Sequence, residues 1–177
     1  MNSRGTQLAL ALLRIYTGVF WLVHGVPKFL NSDAFMPPNG FMPQLVAKAA
    51  STNAGWYHDF LVNVVIPHIA LFAELTRLGE VLVGFSLLFG LFTRFGGLVG
   101  TLLALNYLTA NTALASYSAL GTLDAAAAVL SFTHVVLPSG RTLGVDALFT
   151  RRARVRETRV TPEFVDEPAS VPPAAGP

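Results

Sequence analysis

Four long apolar runs occupy positions 8–30, 62–92, 95–117 and 120–137, and no other property of the chain restricts its fold so strongly. An α-helix needs about 20 mostly apolar residues to cross the hydrocarbon core of a bilayer. In lipid the backbone must satisfy its own hydrogen bonds, which a helix does within one segment. The pattern therefore predicts an all-α fold, an integral membrane four-helix bundle. Charge content agrees, because only 12% of residues are charged and 53% are hydrophobic, whereas a soluble domain carries about 25% charge.

Arg4 ahead of the first run resembles a signal peptide, yet Arg14, His24 and Lys28 interrupt the run and no small-residue cleavage site follows. The segment is expected to be retained. Arg4, Arg94, Arg141 and the arginines from Arg151 to Arg159 fall on one side, while loop 31–61 contributes only Lys48. The positive-inside rule then places both termini in the cytoplasm and that loop outside. Within the loop, Pro37, Pro38, Asn39 and Gly40 signal a turn. Residues 41–50 suit a short amphipathic helix, and Trp56 and Tyr57 suit the interfacial aromatic belt. The loop reads either as an interfacial cover or as a lid over an outward-facing site. The transmembrane domain thus covers 1–149; the remainder, 150–177, is a basic then Pro-rich segment expected to be a disordered cytoplasmic tail. Its arginines fit anionic lipid, and no nucleic-acid partner is expected.

Glu74, Arg77 and Glu80 lie within the second run. A charge at bilayer depth costs a few kcal/mol unless it is paired or lines a polar cavity, so such residues mark sites. At about 100° per residue Arg77 lies between the two carboxylates and can bond one or both. On the first run Arg14, Thr17, Trp21, His24 and Lys28 share one face. Counting heights from the run boundaries at about 1.5 Å per residue puts Glu80 opposite Arg14 and Glu74 nearer His24. An Arg14–Glu80 contact, direct or through water, is therefore predicted. Three readings of this polar centre stand side by side: a structural network that docks the helices, a pocket for a quinone, a sulfur oxyanion or protons, and a conduction path.

Asn106 and Thr109 on the third run and Asp124 and Ser131 on the fourth are placed to face the same interior, as helix-to-helix hydrogen bonds or ligand contacts. His24 and His68 on facing helices raise haem ligation, but no motif pairs them, and neither haem nor a bound metal is expected. Gly96 and Gly100, and Gly18 and Gly25, are spaced for close helix packing, within the chain or in a homo-oligomer. The chain has no cysteine, so no thiolate nucleophile, disulfide exchange or iron–sulfur cluster can come from it.

The segment LLRIYTGVFWLVHGVPKF, an Arg, a Gly, aromatics, then His-Gly and Lys, resembles the first helix of the DoxX/DoxD family. The segment VIPHIALFAELTRLGEVLVGFSLLFGLFTRFGGLVGTLLALNYL resembles its second and third helices, with Glu80-x-x-x-Gly84 and the turn Gly90-Leu91-x-Thr93-Arg94. The matched polar positions are Arg14, His24, Lys28, Glu80 and Arg94. The resemblance implies a small four-helix protein of a prokaryotic cytoplasmic (inner) membrane. DoxD-type members belong to thiosulfate:quinone oxidoreductase, which passes electrons from thiosulfate to quinone and forms tetrathionate. Related four-helix membrane proteins that handle thiols do so with cysteines, and the absence of cysteine here argues against that branch.

The expected function is a membrane subunit of a quinone-linked redox system, with an oxidoreductase activity on a sulfur donor and quinone as acceptor. The alternative is a non-catalytic membrane organiser that recruits a soluble redox enzyme. Glu80, Arg77 and Glu74 are the expected catalytic set. Arg14, Trp21, His24, Lys28, Asn106 and Asp124 are the expected substrate or quinone contacts. The lipid bilayer and a second redox subunit or soluble enzyme are the expected partners.

Overall fold

A computed structural model describes residues 3–111, 121–137, 139–141 and 143–147. The expected tail from 150 onward lies outside the described residues, which form helices and turns without strands. The elements are α1 (Ser3–Leu30), α2 (Ser32–Phe35), α3 (Phe41–Thr52), α4 (Trp56–Phe60), α5 (Ile69–Phe89), α6 (Thr93–Ala110) and α7 (Leu123–Val136). A π-helical turn, Leu61–Val65, and a 3₁₀ turn, Ile66–His68, join α4 to α5.

The predicted second run therefore has different limits. Helical structure is continuous over Trp56–Phe89, 34 residues, so loop 31–61 is shorter than expected and mostly helical. The irregular turns fall where Pro67 lacks an N–H and its ring opposes the carbonyl of the preceding turn. Two stretches, Arg4–Leu30 and Trp56–Phe89, are long and apolar enough to cross a membrane. Only 33% and 17% of their most apolar windows are buried, unlike the mostly buried core helix of a soluble protein. Their exposed residues are large and apolar, including Leu12, Tyr16, Val23, Leu71, Leu78 and Leu82.

The long helices pack as two close antiparallel pairs, α1 on α5 and α6 on α7, joined where α5 meets α6. Absent side chains permit both approaches. A Cβ on Gly18 would lie 2.5 Å from the Leu88 backbone nitrogen, and one on Gly97 2.8 Å from the Ser131 carbonyl. These contacts set the helix heights: Gly18 faces Gly84 and Leu88, and Gly25 faces Glu80 and Val81.

At the α5–α6 turn Gly90 adopts a left-handed conformation, φ +66°. The stretch 143–147 folds back over this turn. The Asp146 carboxylate accepts hydrogen bonds from the Phe92 and Thr93 backbone N–H groups at 2.9 and 3.0 Å and from the Thr93 hydroxyl at 2.7 Å. It thereby caps the N-terminus of α6, satisfying donors that a helix start leaves unpaired.

Candidate functional site

Glu80 is the centre of the site. Its side chain is 1% exposed, and both carboxylate oxygens stand 2.5 Å from the Lys28 ammonium nitrogen. The Tyr107 hydroxyl donates to Glu80 Oε1 at 2.6 Å and accepts from Lys28 Nζ at 3.0 Å. Lys28 also lies 5.0 Å from the Phe35 ring centroid and 5.3 Å from that of Tyr107. A cation, an anion and a phenol thus close a three-membered hydrogen-bonded ring contributed by α1, α5 and α6.

This ring forms the wall of a cavity of about 440 Å³. Trp21, His24, Asp124 and Asn111 complete its polar edge, and Phe41 and Leu45 of α3 lie across it. The Trp21 indole N–H donates to Ser131 Oγ at 3.0 Å, which pins the ring. His24 Nδ1 donates to the Phe20 carbonyl at 2.8 Å, leaving Nε2 as an acceptor when the imidazole is neutral. Asn111 donates to Asp124 at 3.3 Å.

The predicted Arg14–Glu80 contact does not form. Arg14 is fully buried one turn before Gly18, level with Gly90, and Nη2 donates to the Leu143 carbonyl at 2.8 Å. Heights counted from the run ends misplace α5 because helical structure begins earlier, at Trp56, so Glu80 stands level with Gly25 and within reach of Lys28. Of the one or two carboxylates expected to bond it, Arg77 takes one. It pairs with Glu74 alone, donates to Ser32 Oγ at 2.9 Å, and lies 4.4 Å from the Phe29 ring. Glu74 is half exposed and ties Arg77 to the α1–α2 corner instead of approaching His24.

Asn106 is separated from Asp124. It accepts from the Tyr57 hydroxyl at 3.1 Å and lines a different cavity. Thr109 turns back on its own helix, donating to Leu105. His24 and His68 are both exposed and bonded to carbonyls of their own helices. Among the described residues no group of three or more His, Asp or Glu side chains is arranged to hold a metal.

Arg14 instead belongs to a second buried polar group midway along α1, level with the α5–α6 turn. The Thr17 hydroxyl donates to the Leu13 carbonyl at 2.8 Å, so its oxygen accepts from His134 Nε2 at 3.1 Å. His134 Nδ1 then accepts from the Ser139 hydroxyl at 3.0 Å.

Tyr107 is the residue that sequence reasoning missed. A phenol inside an apolar helix calls for a partner. With the α5–α6 turn at Gly90 the antiparallel register sets Gly79 against Leu103, and the Tyr107 side chain, one turn further along α6, leans back toward the N-terminus of its helix to reach Glu80.

Described residues that form only helices and turns, with two helices long and apolar enough to cross a membrane and an ion pair buried between them, are those of a helical membrane protein. It belongs to the DoxD family: the family model described as "TQO small subunit DoxD" matches residues 9–165. That match is longer than the region 8–137 on which the resemblance was read. No curated protein and no solved structure matches the chain.

Proposed function

We propose that this protein is a membrane subunit of a thiosulfate:quinone oxidoreductase-like system and that the Lys28–Glu80–Tyr107 cavity is where the sulfur donor meets it. In this reading four spans place both termini in the cytoplasm, in the inner membrane of a prokaryote, and the cavity opens outward. The observation that carries the reading is the ring itself, a near-fully buried carboxylate with a lysine and a phenol at the wall of a ligand-sized cavity. A buried ionisable residue in a membrane helix is by default a candidate for a functional site.

The overall reaction consumes two thiosulfates, one quinone and two protons and yields tetrathionate and quinol. Lys28 supplies the cation that an oxyanion requires. Glu80 and Tyr107 hold a proton between two hydrogen-bonded oxygens, and His24 Nε2 offers an acceptor at the cavity edge. With no cysteine in the chain, electrons pass by direct contact between donor and quinone or through a partner subunit that carries its own redox group.

A second reading has its own support. Lys28 is matched by Glu80 and Arg77 by Glu74, so the charges compensate one another as they would in a structural network holding an organiser of a soluble redox enzyme. The deciding experiment compares wild type with Glu80→Gln, each purified in mild detergent and shown to be folded. Copurified quinone is measured in organic extracts, together with thiosulfate-dependent quinone reduction in membranes containing the partner. Loss of turnover with unchanged partner recovery supports the subunit reading. Unchanged turnover, or loss that follows partner recovery alone, supports the organiser.

A further inference from the structure

A second cavity, of about 320 Å³, lies between α3, α5 and α6 and shares Tyr107 and Leu45 with the first. Its walls are almost entirely carbon: Val46, Ala49, Leu61, Val65, Phe72 and Leu103 are typical. Phe60, Leu75 and Leu102 also line it, and these are exposed apolar residues on the outside of the helices. On a membrane protein such residues face lipid, so the cavity has its mouth toward the hydrocarbon. Few polar groups enter it. The Tyr57 hydroxyl donates to Asn106 Oδ1 at 3.1 Å, which leaves the Asn106 amide NH₂ as a donor, and Thr76 lies in the same wall.

We propose that this apolar cavity is a quinone site distinct from the polar cavity, entered sideways from the bilayer, with the side chains of Tyr107 and Leu45 between the two. The inference rests on the quinone-linked reading above and adds where the acceptor binds. Thiosulfate is a strongly hydrated dianion, and stripping it of water in a carbon-lined chamber is prohibitive. A prenylated ring has the opposite preference and reaches the protein dissolved in lipid. Two reactants with opposed solvation fit two chambers, which the helices provide on either side of Tyr107 and Leu45; of the two electron routes above, this arrangement takes the one through the redox group of a partner subunit. Asn106 and Thr76 offer donors to a ring carbonyl. Tyr107, bonded to Glu80, connects that chamber to the protons that quinol formation consumes.

A photoreactive azidobenzoquinone bearing a short isoprenoid chain, applied to the full chain in lipid nanodiscs with and without excess thiosulfate, tests this. Adducts are mapped by peptide mass spectrometry. The expected labels fall in 72–76 and 99–106, persist with thiosulfate present, and drop about tenfold in Thr76→Phe, whose ring fills the cavity. Asn106→Leu, at an exposed position, is expected to weaken quinone binding about threefold to tenfold by removing the donor. Neither substitution is expected to change thiosulfate binding by more than about twofold. Labels in 21–28 and 123–127, or labels displaced by thiosulfate, overturn the separate site while leaving the quinone-linked reading in place. Saturable labelling absent from wild type overturns both. Labelling that follows fatty-acid competitors as well as quinone assigns the cavity to lipid and overturns the inference.

Discussion

At the scale of the residue, the Lys28–Glu80 pair dominates. Removing one partner leaves a buried charge uncompensated, at about 3–5 kcal/mol for a fully buried pair; the partial exposure of Lys28 places Lys28→Met toward the lower end. The double variant Lys28→Met/Glu80→Leu is expected to recover most of that stability, since two apolar groups replace two paired charges, and thermal unfolding in detergent measures it. On the subunit reading the recovered double variant remains inactive, which separates chemistry from folding. Tyr107→Phe removes hydrogen bonds to two charged groups and is expected to cost about 1.5–3 kcal/mol. It also removes the only hydroxyl that bonds both Lys28 and Glu80 among the described residues, so turnover is expected to fall further than stability does.

Among the elements, helix contact rests on backbone approach. Gly97 on α6 faces the Ser131 carbonyl and the Val135 nitrogen of α7, at 2.8 and 3.1 Å from a would-be Cβ. Backbone cannot step aside as a flexible side chain can, so Gly97→Val is expected to destabilise the α6–α7 pair by about 1–3 kcal/mol. A Cβ on Gly5 meets nothing within 4 Å, and Gly5→Ala is the matched control, expected to leave the melting temperature unchanged. The polar periodicity of α1 was legible in the sequence because angle on a helix depends only on local geometry. It did not reveal that the face serves two separate polar groups, with Trp21, His24 and Lys28 at the cavity and Arg14 and Thr17 at the buried histidine and the 143–147 stretch.

For the whole molecule, the proposed orientation makes a prediction that the cysteine-free sequence renders simple to check. Single cysteines introduced at exposed Lys48 on α3 and exposed Arg94 at the α5–α6 turn are expected to react from opposite sides of sealed vesicles. A membrane-impermeant maleimide should label the Lys48 position in cells and the Arg94 position only in inverted vesicles. Labelling of both from one side would overturn the four-span topology. The sequence by itself determined the helical class, the membrane setting and the polar residues that had to find partners, because apolar length and buried charge act locally along the chain. Only the tertiary structure decided which partners they found. Glu80 takes Lys28 in preference to Arg14 because the relative height of two helices is set by where glycines let backbones touch and by a helix that continues past Pro67 to Trp56. Tyr107 enters the site for the same reason, since a residue's neighbour across a helix pair depends on register, which no single segment contains.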